Sequence, residues 1–230
     1  MVNVKNIIIG VVVLLLLILL IRWFMGDATK IDGLKDAKKV TKITADDLED
    51  SNASNFAYST WFYIDDWSYR YGEPKIILGR LDADLKPGPS IVLGAIENNI
   101  TVETTVYPSS QSNTASTHKC NVANVPIQKW VNVIVSLYGR TLDVYIDGKL
   151  VRTCVLPGVA KVANNAPVFV TPLGGFSGYT ANIHYYGDAL NPQQAYNIYR
   201  SGYGGSGMDF PYSVKVEFLK DGEEQGSLEI

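Results

Sequence analysis

Trp130-Val131-Asn132-Val133-Ile134-Val135-Ser136-Leu137, then Tyr138-Gly139-Arg140, then Thr141-Leu142-Asp143-Val144-Tyr145-Ile146-Asp147-Gly148-Lys149, is the stretch on which the fold turns. Successive side chains of an extended strand point to opposite faces, so Val131, Val133, Val135 and Leu137 share one face. Leu142, Val144 and Ile146 repeat the pattern after the Gly139 turn. Asp147-Gly148 is the strongest short-range hairpin signal in the chain and suits a type I′ turn. It leads into a further strand, Lys149–Val155.

Working outward, the same alternation recurs. Phe56–Ile64 is dense in aromatic and β-branched residues, and Lys75–Leu78, Ser90–Leu93, Ile100–Tyr107 and Lys119–Val122 read as strands. Phe169-Val170, Gly178–Tyr186, Ser213–Leu219 and Gly226–Ile230 complete the set, the last two flanking Asp221-Gly222 as a hairpin. About eleven strands separated by turn signals predict an all-β, two-sheet antiparallel sandwich. One short helix interrupts them. Asn191-Pro192-Gln193-Gln194 reads as a cap, a proline at the first helical position and a glutamine reaching back to the cap. Ala195, Ile198 and Tyr199 are expected to face the core, and Gly202 to end the helix. No internal repeat is visible.

The N-terminus has a different character. Ile7 to Ile21 carries no charge and is almost entirely Ile, Val and Leu. Extended to residues 4–25, with Lys5 and Arg22 snorkelling and Trp23 at the interface, the run spans the ~30 Å hydrocarbon core as a transmembrane helix. A cleaved signal peptide is the rival reading, but Arg22-Trp23-Phe24 is a poor lead-in to a cleavage site. Lys5 precedes the run, whereas Arg22, Lys30, Lys35, Lys38, Lys39 and Lys42 follow it. The positive-inside rule therefore predicts a single-pass protein with its C-terminal part on the cytoplasmic side. Residues 27–55 read as a charged tether, basic from Lys30 to Lys42 and acidic at Asp46, Asp47, Glu49 and Asp50. The expected organisation is an anchor at 1–26, a tether at 27–55, a β domain at 56–212 and a C-terminal hairpin at 213–230.

Among 230 residues the formal net charge is −3, which excludes a broad basic field for nucleic acid. Two sequons, at Asn52 and Asn99, point away from the cytoplasm and are discounted as chance matches. Cys120 and Cys154 lie in strand-like segments. They could pair as one disulfide or stay as small buried hydrophobes, with free thiols the default on the cytoplasmic side.

The run Ile127 to Val133, followed by Leu142-Asp143-Val144-Tyr145-Ile146-Asp147-Gly148-Lys149, resembles the laminin-G/concanavalin-A-like lectin jelly roll, in which a Trp opens one strand and a hairpin closes on Tyr-Ile-Asp-Gly. Gly175-Phe176-Ser177-Gly178, Asn182-Ile183-His184-Tyr185-Tyr186, Ala189-Leu190 and the short helix resemble that family's closing element. The resemblance covers residues 56–203 and implies a jelly-roll sandwich. With an N-terminal span and a Cys on either side of the Trp strand, the chain also resembles structural proteins of large DNA viruses of algae and protists. That narrower resemblance implies a minor capsid component of a virion, linking an internal membrane to a protein lattice.

No catalytic set appears. Carboxylates spaced Glu-x-Asp-x-x-Glu on one strand, the glycan-cleaving pattern of some relatives, are lacking. Gly202-Tyr203-Gly204-Gly205-Ser206-Gly207 matches a dinucleotide fingerprint in letters but follows a helix instead of preceding one. His118 and His184 do not stand at triad or zinc spacing. Asp65, Asp66, Asp82 and Asp84 lie in loops and could supply oxygens to calcium, though their spacing is not diagnostic. Trp67, Tyr69, Arg70 and Tyr71 form a loop rich in groups that stack on sugars or pack against protein, or that merely cover the sandwich end. The expected function is a non-enzymatic, membrane-anchored structural or binding protein, with a membrane-tethered carbohydrate-binding module as the alternative.

Overall fold

The computed structural model describes residues 16, 29–32, 34–107, 114–162, 165–203, 215–220 and 223–229, with backbone alone for the strands at 29–32, 215–220 and 223–229. The membrane span expected at 4–25 lies outside the described residues apart from Leu16. Among the described residues, no helix is long and apolar enough to cross a membrane.

In chain order the strands are β1 (Thr29–Asp32), β2 (Lys35–Asp36), β3 (Thr41–Ile43), β4 (Phe56–Asp66), β5 (Lys75–Leu81), β6 (Pro87–Leu93), β7 (Ile100–Val106) and β8 (Ser116–Val122). There follow β9 (Trp130–Tyr138), β10 (Thr141–Ile146), β11 (Lys149–Val155), β12 (Val168–Val170), β13 (Ser177–Tyr186), helix α1 (Pro192–Arg200), β14 (Lys215–Lys220) and β15 (Glu223–Glu229). One seven-stranded antiparallel sheet runs β1-β13-β4-β9-β10-β11, with β2 also on β13. A six-stranded sheet runs β3-β12-β5-β6-β7-β8 and faces it. The expected two-sheet jelly-roll sandwich is the observed architecture.

The alternation read from sequence sets which side chains meet between the sheets. Phe56, Tyr58, Phe62 and Ile64 of β4 join Val131, Val133, Val135 and Leu137 of β9 and Leu142 and Val144 of β10. They pack on Leu78, Ile91, Leu93, Ile100 and Val102 from the other sheet. Each such side chain contributes about 1.5–3 kcal/mol of burial, before chain entropy is set against it. Asp147 and Gly148 have φ of 49° and 71°, the two left-handed residues a type I′ turn requires, and Ile146 pairs with Lys149 across it.

Helix α1 begins as its sequence predicts. The Asn191 side chain accepts from the Gln194 amide at 2.9 Å, and the Gln194 side chain accepts from the Asn191 amide at 2.9 Å. Its apolar side, however, does not enter the sandwich core. Ala195 packs with Ile134 and Tyr145 on the outer surface of the seven-stranded sheet, flanked by Leu190 and Ile198.

The described part of the expected tether 27–55, residues 29–32 and 34–55, does not stand beside the domain. Thr29 pairs with Tyr185, Lys35 with Thr180, and Thr41 to Ile43 with β12, so this segment supplies strands to both sheets. Ala37, Ile43 and Leu48 enter the main core. Single apolar residues several positions apart leave no local period, and the strands exist because β12 and β13, distant in sequence, offer them edges. The anchor of this segment is the buried Arg80. Its guanidinium donates to the carbonyls of Ser51 and Ala166, while the Tyr185 hydroxyl donates to the Asp50 carbonyl at 3.0 Å.

Cys120 of β8 and Cys154 of β11 are joined as a disulfide, with 6.1 Å between their Cα atoms. The free thiols expected on a cytoplasmic side give way to a bond between the edge strands of the two sheets. The C-terminal strands β14 and β15 pair with each other, Glu217 opposite Ser227, and the Asp221-Gly222 turn expected between them lies outside the described residues.

Several tyrosines are held protonated by burial. Desolvation pushes the hydroxyls of Tyr58 and Tyr185 up, only partly offset by Arg80, and pushes Tyr186 up to about 12. In an unfolded chain these groups ionise near 10. The folded state therefore keeps protons that the unfolded state releases above that pH, so their contribution is full below about 10 and is lost as pH rises toward 12. The expected result is a melting temperature that falls steeply above about pH 10, with part of the phenolate absorbance appearing only on unfolding. Ionisation of all 14 tyrosines before any loss of circular dichroism would contradict it.

Candidate binding surface

The loop after β4, whose aromatics are the binding candidates of the sequence, is tied into the sandwich end. Trp67 packs against the main core, donates from Nε1 to the Ile96 carbonyl at 3.0 Å, and carries the Lys75 ammonium 4.9 Å from its ring centroid. The Tyr69 hydroxyl donates to the Gly174 carbonyl at 3.1 Å, and Lys38 lies 5.0 Å from that ring. Arg70 donates to the carbonyls of Leu173 and Gly175 and pairs with Glu73 at 2.7 Å. Tyr71 is 60% exposed and is the member of the four that offers an open ring. Cations occupy a face of both rings, and their polar ends hold loop 65–72 down, Trp67 to the Ile96 carbonyl and Tyr69 to that of Gly174.

The calcium candidates are dispersed. Asp66 accepts from the Ser68 hydroxyl and amide, which hold its carboxyl below the usual range. Burial acts to raise the Asp82 carboxyl, but the backbone amides of Lys86 and Asp84 and the charge of Lys161 outweigh it and bring it below its ordinary value. Asp84 pairs with Lys86 at 3.6 Å, and Asp65 is exposed at the end of β4. Among the described residues, no group of three or more His, Cys, Asp or Glu is placed to hold a metal.

A different surface collects aromatic rings. On β4 the residues inward of the sheet are Tyr58, Phe62 and Ile64, so Trp61, Tyr63 and Asp65 point outward. Register then lines up Tyr179 of β13 beside Tyr63, and Tyr63 beside Trp130 of β9. The segment after α1 roofs one side of this row. Tyr203 stacks on Trp130 at 4.6 Å and 11° and meets Trp61 edge-on at 5.8 Å, while Tyr199 stacks on Trp61 at 5.6 Å. Tyr63 and Trp130 lie 5.8 Å apart and tilted by 54°.

Leu34, Tyr63, Asp65, Trp130 and Tyr179 line an open depression of about 400 Å³. Leu34 is 66% exposed and Tyr179 46%, so the far side of the row faces solvent. Such a surface presents flat apolar ring faces beside one carboxylate. It can stack on the apolar face of a planar group and accept hydrogen bonds from hydroxyls at its rim. Tyr63, Trp130, Tyr179 and Tyr203 are not among the binding candidates of the sequence. The outward alternation of Trp61, Tyr63 and Asp65 was available as a signal. Which strands flank β4 was not.

The profile of the Concanavalin A-like lectin/glucanases superfamily, laminin-G type, matches residues 37–195. No curated protein matches the sequence. Among solved structures, the botulinum neurotoxin serotype D ligand binding domain in complex with N-acetylneuraminic acid is similar at TM-score 0.57 and 11% identity, over 82% of this chain and 49% of that one. The botulinum neurotoxin DC binding domain in complex with SialylT is similar at TM-score 0.53 and 13% identity, over 76% of this chain and 46% of that one. The serotype D binding domain is similar at TM-score 0.54 and 11% identity, over 76% of this chain and 42% of that one. The chain thus spans less than half the length of these structures, and at such identity the likeness is one of fold. With a matching profile that begins at the buried Ala37 and ends in α1, the chain belongs to the concanavalin A-like lectin/glucanases superfamily.

Proposed function

We propose that the protein is a non-enzymatic, lectin-like binding module, tethered to a membrane by residues 4–25, whose outer aromatic row binds the face of a sugar ring. The observation that carries this reading is the depression at Tyr63, Trp130 and Tyr179 with Asp65 at its edge. Aromatic faces stack on the C–H face of a hexose, and a carboxylate accepts from its hydroxyls. Among the described residues Asp65 is the one carboxylate lining it, where glycoside hydrolysis uses a pair, which favours binding over cleavage. The fold likeness to domains solved with N-acetylneuraminic acid and SialylT agrees with a glycan partner.

Two signals bear on the side of the membrane. Lys30 to Lys42 favour the cytoplasmic side under the charge rule, but Lys30, Lys35 and Lys42 sit in paired strands of the domain, and folded domains translocate largely regardless of charge. The Cys120–Cys154 bond favours an oxidising compartment, and with it the non-cytoplasmic side. A minor capsid role in a virion, contacting a protein lattice, rests on the narrower sequence resemblance and ranks below the glycan reading.

The test is a glycan array probed with the full chain in detergent. Specific binding is expected. Tyr179→Ala should weaken it about tenfold, the scale of one lost stacking contact. Tyr71→Ala, in the loop at the sandwich end, should leave it unchanged. Absence of binding to every glycan, or equal loss in both variants, would overturn the reading.

A further inference from the structure

Strand β11 is an open edge. It pairs with β10 on one side and with no described strand on the other, so alternate backbone N–H and C=O groups along it face outward. Nearly all of Lys149–Val155 is exposed, including Leu150, Val151 and, at 67%, Val155. Natural edges are blunted by proline, edge charges, bulges or covering loops, because a bare edge recruits another strand. This one carries Lys149 and Arg152 and no carboxylate.

Those charges argue about the occupant. Two β11 strands pairing edge to edge would bring a doubly basic strand against its like, which is unfavourable. An acidic strand is the complement, and the chain ends on one. β15 carries Glu223, Glu224 and Glu229 and neither Lys nor Arg. With β14 it forms a separate two-stranded sheet, hydrogen-bonded to neither sheet of its own sandwich. An isolated two-stranded hairpin is marginal in water and gains stability by joining a larger sheet. Residues 204–214 join it to the body, and that many residues can reach roughly 40 Å.

We infer that the β11 edge is a strand-addition site for the C-terminal hairpin of a second copy, the acidic sequence of β15 pairing with the basic sequence of β11. The contact is head-to-tail, because the donated strand and the accepting edge are different surfaces, so it propagates into rings or rows. Independent of any sugar, it assembles copies into an array that sets their aromatic depressions side by side.

The experiment is sedimentation of the full chain in detergent over a range of concentrations. Concentration-dependent association is expected. Lys149→Glu with Arg152→Glu should weaken it at least tenfold, and so should Glu223→Lys with Glu224→Lys. Mixing the two reversed proteins, each supplying what the other lacks, should restore it. A protein monomeric at all concentrations, association indifferent to both reversals, or no restoration on mixing would overturn the inference. So would a monomer whose outward β11 amides are slow to exchange, since its own hairpin would then fill the edge.

Discussion

Gly178→Ala is expected to lower the melting temperature of the full chain by roughly 6–12 °C, the equivalent of about 3 kcal/mol at this chain length. Gly178 has φ of 150°, and an added Cβ would sit 1.8 Å from the Tyr63 carbonyl oxygen and 3.2 Å from the Ile64 Cα. Both are backbone atoms of β4, which lies between β13 and β9 and cannot recede without disturbing the register on both sides. The glycine stands where that register shifts, between Ser177 and Gly178, and the shift brings Tyr179 into line with Tyr63. The same substitution is therefore expected to weaken glycan binding as well as stability. Gly139→Ala is the control. Gly139 also has positive φ, 57°, but nothing lies within 4 Å of its Cβ position, so the cost there is the backbone penalty alone, about 1 kcal/mol. Calorimetry that finds the two variants equally stable would refute the steric argument.

Cys154→Ser is expected to cost as much. The bond between Cys120 and Cys154 spans 34 residues, and a loop of that size restrains the unfolded chain by about 3–4 kcal/mol. The expected fall in melting temperature is about 10 °C. The effect should be matched by adding reductant to the natural protein and should be absent when reductant is added to the variant. The site adds a second consequence. β8 and β11 are the terminal strands of their sheets, so the bond closes one side of the sandwich at the same strand whose other edge lies open. Loss of the bond is expected to speed amide exchange in β8 and β11 before it does so in β4 or β9.

The readable and the unreadable parts of this molecule separate along physical lines. The β9–β10–β11 meander was legible because its signals are local: alternation at period two, a turn at Gly139, and Asp147-Gly148 with the φ values a tight hairpin requires. The cap of α1 was legible for the same reason, since Asn191 and Gln194 satisfy each other within three residues. What the helix packs on was not, for Ala195 meets Ile134 and Tyr145 across the sheet's outer face. The loop aromatics Trp67 and Tyr69 looked available as a cluster in sequence, and only the approach of Lys75, Lys38, Ile96 and Gly174 shows their rings and donors to be engaged.

By itself, then, the sequence determined the class of fold, the family it resembles, most of the inward faces and the capped helix α1. Alternation, turn chemistry and capping are each decided within a few residues. Tertiary structure decided that residues 29–48 belong to the sandwich, that Cys120 bonds Cys154, and that Tyr179, Tyr63 and Trp130 form one surface. Each of these depends on which strands lie side by side, and strand adjacency is set by burial summed over the whole chain.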